Sequence, residues 1–436
     1  MKKKLMILTS LLLTICMVLP LTGCYGGAPG ADSGKTTLTF WTHNDEDTWN
    51  ASYQAMAEGF MSEHPDVEIH IEAFPYDEYK TKIQTALMSD KGGADIYELW
   101  GGWASDFVPT GSLAALPDDL AKQVVSEAYE STYGTLQSDG KLYGIPQEFN
   151  IECGGLIVNN NILNEDGLSV PTTWDELVDN GIKGTVKNDN GEIVIKGFDF
   201  VNEDGVMYLF TSMILSQGEE YMNPDGTFNF STDAAKKAWE ELAGLAMETD
   251  RQTTNLSGLD DGSDIEGYQE LYAGQVMMVP RGPWCIAEGE NEFELEYGKD
   301  YSYVEMPFYG PEKRFAAETG WSMGVGSSIP EEKQALAFDF LRYVFSDGVI
   351  LNHNIACGQI PAKKSVAESE EYVKGFEYAT PLLKILDGGQ YIGNFNTGLF
   401  KDAVNETFSL YCKDGYESTD AALKELEDRC NEIERD

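Results

Sequence analysis

The apolar positions of this chain predict strands that alternate with helices. Residues 38–41 form a short, mostly apolar run typical of a buried strand, and residues 67–73 alternate between apolar and polar as a half-buried strand does. Apolar residues recur at helical spacing at 49–60 and 79–87, and the run at 94–99 predicts a third strand. Because such strands are joined by right-handed crossovers, we expect an α/β fold with a mostly parallel sheet.

Later helices are predicted where a capping residue precedes apolar residues at helical spacing. Thr173-Trp174-Asp175-Glu176 fits a capping box, because Thr173 and Glu176 are three positions apart. Further helices are predicted to open at Ser231-Thr232-Asp233, to run from Pro330 to Ser346, and to carry Leu423, Leu426, Cys430 and Ile433. The polar, Gly-rich residues 181–206 and 252–267 are predicted to be loops or edge hairpins. The Trp residues on helices are assigned to cores: Trp49, Trp174 and Trp239.

The first 24 residues have the composition of a bacterial secretory signal. Three Lys at 2–4 precede a mostly apolar, uncharged run at 5–21. The run ends in Leu21-Thr22-Gly23-Cys24, which resembles a lipobox, where the Cys thiol takes a diacylglycerol and becomes the first mature residue. We therefore expect a signal peptide at 1–23, an anchor on the outer face of the cell membrane through lipid on Cys24, and a flexible linker at 24–35. The alternative is an ordinary cleaved signal followed by an unrelated Cys.

Charge and Cys content exclude several classes of partner. The formal net charge of −44 at pH 7 repels nucleic acid and anionic lipid headgroups, so no nucleic-acid partner is expected. Beyond Cys24, the Cys residues are scattered and form no C-x-x-C pair, so neither a disulfide framework nor a zinc site is indicated. The chain after the signal is long for one core, and two lobes are the natural expectation.

Aromatic and polar residues cluster in turn-like segments that follow predicted strands, where an open α/β sheet binds ligands. A flat apolar ring can contact the CH face of a sugar, and carboxylates and amides can bind its hydroxyls. The candidate ligand-binding residues are Trp41, Asn44, Asp45, Glu46, Trp100, Trp103, Glu148, Glu152, Trp284, Trp321, Asn394 and Asn396. The plainer alternatives are that each Trp lies in a core, that Asp45 and Glu46 cap a helix, and that Glu148 and Glu152 are solvated loop charges.

Motifs for catalysis are weak or absent from the sequence. Glu148 and Glu152 could be the paired carboxylates of a glycosidase, but no second motif supports that reading. There is no G-x-S-x-G, Walker loop, G-x-G-x-x-G after a strand, or H-E-x-x-H, and residues 260–264 lack the spacing of a calcium loop. We therefore predict a binding protein that is not an enzyme and has no cofactor or metal site.

The chain resembles the extracellular solute-binding proteins of ABC-type carbohydrate importers. Nearly the whole mature chain carries the likeness, in the lipobox, Leu38-Thr39-Phe40-Trp41, Ala94-Asp95-Ile96, residues 111–116, 141–146, 156–160, 171–177, 273–278, Gly282-Pro283-Trp284 and residues 320–325. Two stretches depart from the family pattern. Val158-Asn159-Asn160 stands where the family often has Tyr-Asn-Lys, and Glu46 is acidic where some maltodextrin binders are basic.

The resemblance implies a two-lobed, periplasmic-binding-protein-like fold with ligand in the cleft between lobes. Lobe 1 would be 36–145 plus 319–348 and lobe 2 would be 146–318 plus 349–436, joined by a hinge that the chain crosses three times. The resemblance also implies a monomer that captures a carbohydrate, most simply an oligosaccharide, and delivers it to the transmembrane subunits of an ABC permease. The same fold binding a non-sugar solute, a lipid-anchored glycosidase, and a subunit that feeds a sensor remain alternatives.

Overall fold

A computed structural model describes residues 34–43, 47–88, 93–202, 204–260 and 267–433. Its strands are β1 (Thr36–Thr42), β2 (Val67–Ala73), β3 (Ile96–Leu99), β4 (Gln137–Ser138), β5 (Lys141–Leu142), β6 (Gly144–Pro146), β7 (Phe149–Asn150), β8 (Gly155–Asn159), β9 (Val186–Lys187), β10 (Ile193–Ile195), β11 (Met278–Pro280), β12 (Tyr301–Glu305), β13 (Phe315–Thr319), β14 (Ser322–Val325) and β15 (Gly389–Tyr391). Within these residues, no helix is both long and apolar enough to span a bilayer.

The α-helices are α1 (Asp47–Glu63), α2 (Tyr76–Leu87), α3 (Gly101–Phe107), α4 (Asp118–Glu127), α5 (Asn160–Glu165), α6 (Trp174–Gly184), α7 (Gly205–Ser216), α8 (Asp233–Met247), α9 (Ser257–Asp260), α10 (Gly267–Tyr272), α11 (Glu288–Asn291), α12 (Glu331–Val344), α13 (Asp347–Ala356), α14 (Lys364–Ala367), α15 (Glu370–Gly375), α16 (Thr397–Cys412) and α17 (Thr419–Asn431). Short 3₁₀ turns lie at 130–136, 152–154, 283–285, 377–379 and 383–388. The helices predicted at 173, 231, 330 and the C-terminus are confirmed.

The first half of the chain builds the sheet that its apolar pattern predicts. The strand order is β2-β1-β3-β14-β6, and β1 pairs in parallel with both β2 and β3. Helix α1 joins β1 to β2, and α2 joins β2 to β3, so each parallel pair has a helical crossover. Strand β14 pairs antiparallel with β3 and with β6, because the chain returns to this sheet from the opposite direction.

The expectation of a mostly parallel sheet holds in the first sheet only for the pairings of β1, and it is wrong for the second half of the fold. There, β8 pairs antiparallel with both β11 and β12. The alternation of strands with helices does not specify at which end of the sheet the chain begins each new strand. That end decides whether neighbouring strands pair parallel or antiparallel. The hairpin expected within 181–206 is present as β9 and β10, although 181–184 complete helix α6 and 205–206 begin α7.

Among the described residues, buried apolar side chains form three clusters, one of which draws on residues between 129 and 157, between 268 and 317 and between 360 and 386. A second cluster draws on residues between 38 and 145 and between 321 and 350. The largest draws on residues between 153 and 246 and between 392 and 430, and Trp239 is fully buried in it against Phe210, with ring centroids 5.0 Å apart. The assignment of Trp174 and Trp239 to a core is therefore confirmed, and that of Trp49 is not, because Trp49 lines the cleft described below.

Two chain segments run side by side from the first sheet into the next, and we call them the paired segments, 144–150 and 318–325. Strand β6 pairs with β14 and β7 pairs with β13, and between these pairs the Gln147 N–H donates to the Trp321 carbonyl at 2.9 Å. A third segment joins them, since the Phe149 N–H donates to the Ile360 carbonyl at 2.7 Å. Hydrogen bonds thus link the two segments where the chain passes from the first sheet to the next.

Candidate functional site

Two adjoining cavities lie around the paired segments, and together they form what we call the cleft. The larger has a volume of about 700 Å³ and the smaller about 310 Å³. The two share Tyr76, Trp100, Glu152 and Asp204. Their size is that of a site for a small organic ligand. Among the described residues, no group of His, Cys, Asp or Glu side chains is arranged to hold a metal ion.

A buried carboxylate, Glu98 near the end of β3, fixes the side chain of His43, which lines the larger cavity. It accepts hydrogen bonds from the hydroxyls of Thr42 and Tyr53, from the His43 N–H at 3.2 Å and from His43 Nδ1 at 2.8 Å. Burial raises the pKa of Glu98, but His43 and the hydroxyl donors outweigh burial and lower it below the ordinary value. The carboxylate is therefore ionised and fixes the imidazole in place.

The His43 ring in turn supports an indole. It stacks on Trp321, with ring centroids 3.7 Å apart and planes 2° from parallel. Trp100 and Trp103 pack against the same indole at 5.4 Å and 5.6 Å. Trp103 and Trp321 are nearly buried, whereas Tyr76 beside them is 52 % exposed. The result is an aromatic wall in which buried rings support accessible ones.

The opposite wall carries Trp284 in the 3₁₀ turn 283–285. Its indole is 37 % exposed, lines the larger cavity and packs edge-on against Tyr268 with centroids 5.3 Å apart. The Arg281 guanidinium lies about 6 Å from both rings, within the range of a cation–π contact. Trp284 is therefore a wall residue and not part of a lobe core.

Glu148 and Glu152 are cleft residues and not solvated loop charges. Burial raises the pKa of Glu148 to about 8, although the Trp321 N–H donates to its Oε1 at 2.9 Å. Burial also raises the pKa of Glu152 to about 7, against the opposing pull of Arg281. Glu152 has a φ of +26°, which a residue with a side chain adopts at a cost of about 1–3 kcal/mol and which is common at functional sites.

The smaller cavity adds a third buried carboxyl, Glu318 in β13. It accepts hydrogen bonds from the hydroxyls of Tyr208 and Thr397, yet burial still raises its pKa to about 7. Asp204 lies between two cations, Lys401 at 3.2 Å and Arg281 at 3.6 Å. Arg281 and Lys401 are thus accompanied by acids, whereas Lys80, which also lines the smaller cavity, lies over the Trp103 ring at 5.9 Å.

The structure brings most of the predicted site residues together. Trp100, Glu148, Glu152, Trp284 and Trp321 line the larger cavity, and Trp100, Trp103, Glu152 and Asn396 line the smaller one. Asn396 also caps α16, accepting from the Leu399 N–H at 3.0 Å, and donates to Asp106 at 2.9 Å. Residues 44–46 and Cys24 lie outside the described residues.

Two predicted residues lie away from the cleft. The Trp41 indole packs against Phe74 and Tyr97, with Lys82 Nζ 4.9 Å from the ring, because its face of β1 is covered by these side chains. Asn394 lines a separate cavity of about 580 Å³ beside α3 and α17. Neither residue lines the space around Trp284 and Trp321.

Several cleft residues are not among the candidate ligand-binding residues predicted from the sequence: His43, Trp49, Tyr76, Asp204, Tyr208, Tyr268, Arg281, Glu318 and Lys401. The position of two of these residues in the sequence is a signal that predicts a place in the cleft. His43 lies directly after β1, and Tyr76 begins the helix that follows β2, so both occupy the carboxyl end of the parallel strands. Glu318 and Tyr208 had none, because both lie within regular secondary structure among apolar neighbours.

Comparison with known proteins identifies a family model and several proteins to which this chain is similar. The family model described as "Bacterial extracellular solute-binding protein" matches residues 45–350. A lactose-binding protein of Rhizobium radiobacter is 25 % identical over 421 residues, which cover 92 % of this chain and 93 % of that protein. The melibiose/raffinose/stachyose-binding protein MelE of Bacillus subtilis is 25 % identical over 230 residues, half of each chain.

Solved structures share the fold. The cyclic alpha-maltosyl-1,6-maltose binding protein from Arthrobacter globiformis superposes with a TM-score of 0.73 at 21 % identity, over 91 % of this chain and 98 % of that one. The GacH receptor of Streptomyces glaucescens, described unliganded and with acarbose, superposes with a TM-score of 0.72 at 20 % identity, over 92 % of this chain and 100 % of that one. The two-lobed α/β fold class expected from the sequence is confirmed.

Glu318→Gln should change how stability depends on pH. In the unfolded chain Glu318 ionises near pH 4.5, whereas its folded pKa is about 7. Protonation of Glu318 in the folded wild type therefore gives its full stabilisation below pH 4.5, and this stabilisation is lost as the pH rises through 7. We expect the variant to match the wild type at pH 5 and to exceed it by about 2–3 kcal/mol at pH 8.5 in urea unfolding.

Glu312→Gln provides the control, because Glu312 is an exposed carboxylate. Its difference from the wild type should not vary over the same pH range. A difference between the Glu318→Gln variant and the wild type that is equal at pH 5 and pH 8.5 would show that Glu318 is not protonated in the folded protein.

Proposed function

The chain belongs to the family of bacterial extracellular solute-binding proteins, and we propose that it captures an oligosaccharide and delivers it to an ABC-type importer. The observation that carries this proposal is the pairing, across one cleft, of exposed aromatic rings with hydrogen-bonding carboxyl groups. Rings of Tyr76 and Trp284 suit the CH faces of sugar rings, and the carboxyl of Glu152 suits hydroxyls. The sugar-binding names of the relatives support the same ligand class.

The charges of the cleft favour a neutral ligand over an anionic solute. Arg281 and Lys401 both face Asp204, and Arg281 also faces Glu152, so acids of the protein accompany both cations. A phosphate or carboxylate ligand would have to compete with Asp204 and approach Glu152 and Glu318 as well. A sugar hydroxyl can hydrogen-bond to these groups without that repulsion. The family consists of binding proteins, and we propose no catalytic step.

We propose that binding closes two lobes about the paired segments, with lobe 1 formed by 36–145 plus 319–348 and lobe 2 by 146–318 plus 349–436. A ligand that contacts both walls is bound more tightly by the closed form and shifts the population toward it. The hydrogen bonds between 144–150 and 318–325 would allow the lobes to rotate without separating. An importer could then distinguish the loaded from the empty protein by shape.

We also propose that the mature protein is a monomer tethered to the cell membrane through lipid on Cys24. The support for this anchor is the lipobox-like Leu21-Thr22-Gly23-Cys24 at the end of an apolar run. Residues 24–35 would give the folded part enough reach to meet permease subunits in the same membrane. Stable anchoring needs more than one acyl chain, which a diacylglycerol provides.

Trp284→Ala should weaken sugar binding while leaving the fold intact. A panel of neutral oligosaccharides is first screened by thermal shift, because a ligand at 100 times its Kd stabilises the fold by about 2.7 kcal/mol. Calorimetry with the best ligand should then give a Kd about ten- to a hundredfold weaker for the variant, since a stacking surface is lost. Trp239→Ala is the matched control, and should instead lower stability by about 3–5 kcal/mol. Unchanged affinity in Trp284→Ala would contradict a binding role for this indole.

Domain closure predicts a smaller molecule in the presence of ligand. Small-angle scattering of the protein without its signal peptide should show a decrease in radius of gyration on saturation with the sugar found in the screen. A saturated complex whose radius of gyration matches that of the free protein would argue against closure.

The anchor is tested by Cys24→Ser expressed with the full signal. Without the thiol no lipid can be attached, so the variant should be found unprocessed or released from the membrane, whereas the wild type stays with the membrane fraction. Mass spectrometry of the mature N-terminus identifies the modification directly. A fully processed Cys24→Ser protein that remains membrane-bound would exclude lipidation at this residue.

A further inference from the structure

Glu148 lies where three chain segments meet, in the middle of the first of the paired segments. Its neighbours on both sides are tied by main-chain hydrogen bonds, Gln147 to Trp321 and Phe149 to Ile360. Its own side chain adds a further link, because the Trp321 N–H donates to Glu148 Oε1 at 2.9 Å. The carboxyl group therefore positions the backbone of the residue whose indole stacks on His43 in the aromatic wall.

The second oxygen of this carboxyl group has no hydrogen-bond partner among the described residues. Glu148 is only 4 % exposed, and Oε2 is buried. An ionised carboxylate with one buried, unpaired oxygen is strongly unfavourable, whereas a neutral carboxylic acid in the same place is far less so.

The charged and titratable groups around Glu148 do not favour its ionised form. Glu98 at the end of β3 and Glu152 in the turn 152–154 are both acids, and both raise its pKa. Arg281 lines the same cavity but faces Glu152 and Asp204. The other titratable groups nearby are His43, Tyr53, His353 and Cys357. Burial lowers the pKa of His353 to about 4, so it is neutral at physiological pH.

We infer that Glu148 is a proton-dependent positioning residue: as a neutral acid it holds Trp321 and the paired segments in the arrangement that binds ligand, and loss of its proton weakens binding. Burial, which raises the pKa of Glu148 to about 8, supports this inference. The inference rests on the proposed function, since it concerns the site proposed for the oligosaccharide. Above that pKa, the new charge at Oε2 would have to draw water or a cation into the junction and so displace Trp321.

The first test measures Kd by calorimetry between pH 6 and pH 9.5 with the neutral sugar identified in the screen. For the wild type, Kd should rise about tenfold between pH 7 and pH 9, as expected for one proton held in the binding-competent state. Glu148→Gln keeps an acceptor for the Trp321 N–H and carries no charge, so its Kd should stay within about threefold of the wild-type value at pH 7 and should not show the tenfold rise between pH 7 and pH 9. Glu148→Leu removes the acceptor and should weaken binding equally at every pH.

Glu152→Gln is the matched control, since Glu152 is also a carboxyl of the cleft with a raised pKa but does not contact Trp321. It should keep the weakening of binding between pH 7 and pH 9. A wild-type Kd that does not change with pH, or a rise in Kd that persists in Glu148→Gln, would overturn the inference.

A second measurement tests Glu148 without any ligand, so that its outcome is independent of the proposed function. The side-chain carboxyl carbons of all Glu residues are labelled with ¹³C, and the Glu148 resonance is assigned as the one missing from Glu148→Gln. It should titrate near pH 8 in the free protein. A midpoint between 4 and 5 would overturn the inference even if sugars bind, whereas a midpoint near 8 with no sugar bound would contradict only the proposed function.

Discussion

The hydrogen bonding between residues 144–150 and 318–325 is the constraint on which the cleft depends. It places the Glu148 carboxyl against the Trp321 N–H, although the two are 173 positions apart in the chain. It also places Glu318 in β13 opposite Asn150 in β7, two positions from Glu152. Because backbone groups in a buried passage must be paired, the two segments cannot slide past each other without leaving unpaired donors and acceptors. The register of the two segments is therefore fixed by main-chain pairing before any ligand enters.

Carboxyl groups behave differently inside and outside this protein. The net charge of −44 resides mainly on exposed acids, where water screens it and where it favours solubility. The few buried acids diverge according to their partners. Glu98 has a histidine and several donors and stays ionised, whereas Glu148 lies among other acids and favours the neutral form. The same residue type thus anchors a ring in one position and depends on a proton in another.

The aromatic residues follow a similar division. Trp239 and Trp174 were assigned to cores from helical spacing and are buried there, but Trp49 has the same spacing and lines the cleft. The sequence predicts Trp284 as a ligand-binding residue because it follows Gly282-Pro283, and that turn does leave the indole accessible. The sequence also predicts Trp41 as a ligand-binding residue, from its place at the end of a strand. Its indole instead packs against Phe74 and Tyr97, away from the cleft. The neighbouring residues in the sequence indicate which Trp residues lie at turns. Whether such a Trp faces the cleft depends on which side chains from distant parts of the chain pack against it.

The amino-acid pattern is enough to predict the periodic elements, their caps, the parallel pairing of β1 with β2 and β3, and the turns at which site residues cluster. These follow from short-range patterns, because helix and strand periods and capping residues act within a few positions. The three-dimensional fold is needed to find the antiparallel pairing of β8 with β11 and β12, the place of Glu318, Tyr208 and Arg281 in the site, and the protonation preferences of its acids. These depend on long-range contacts and on the loss of water around buried groups, and neither is encoded in the spacing of residues along the chain.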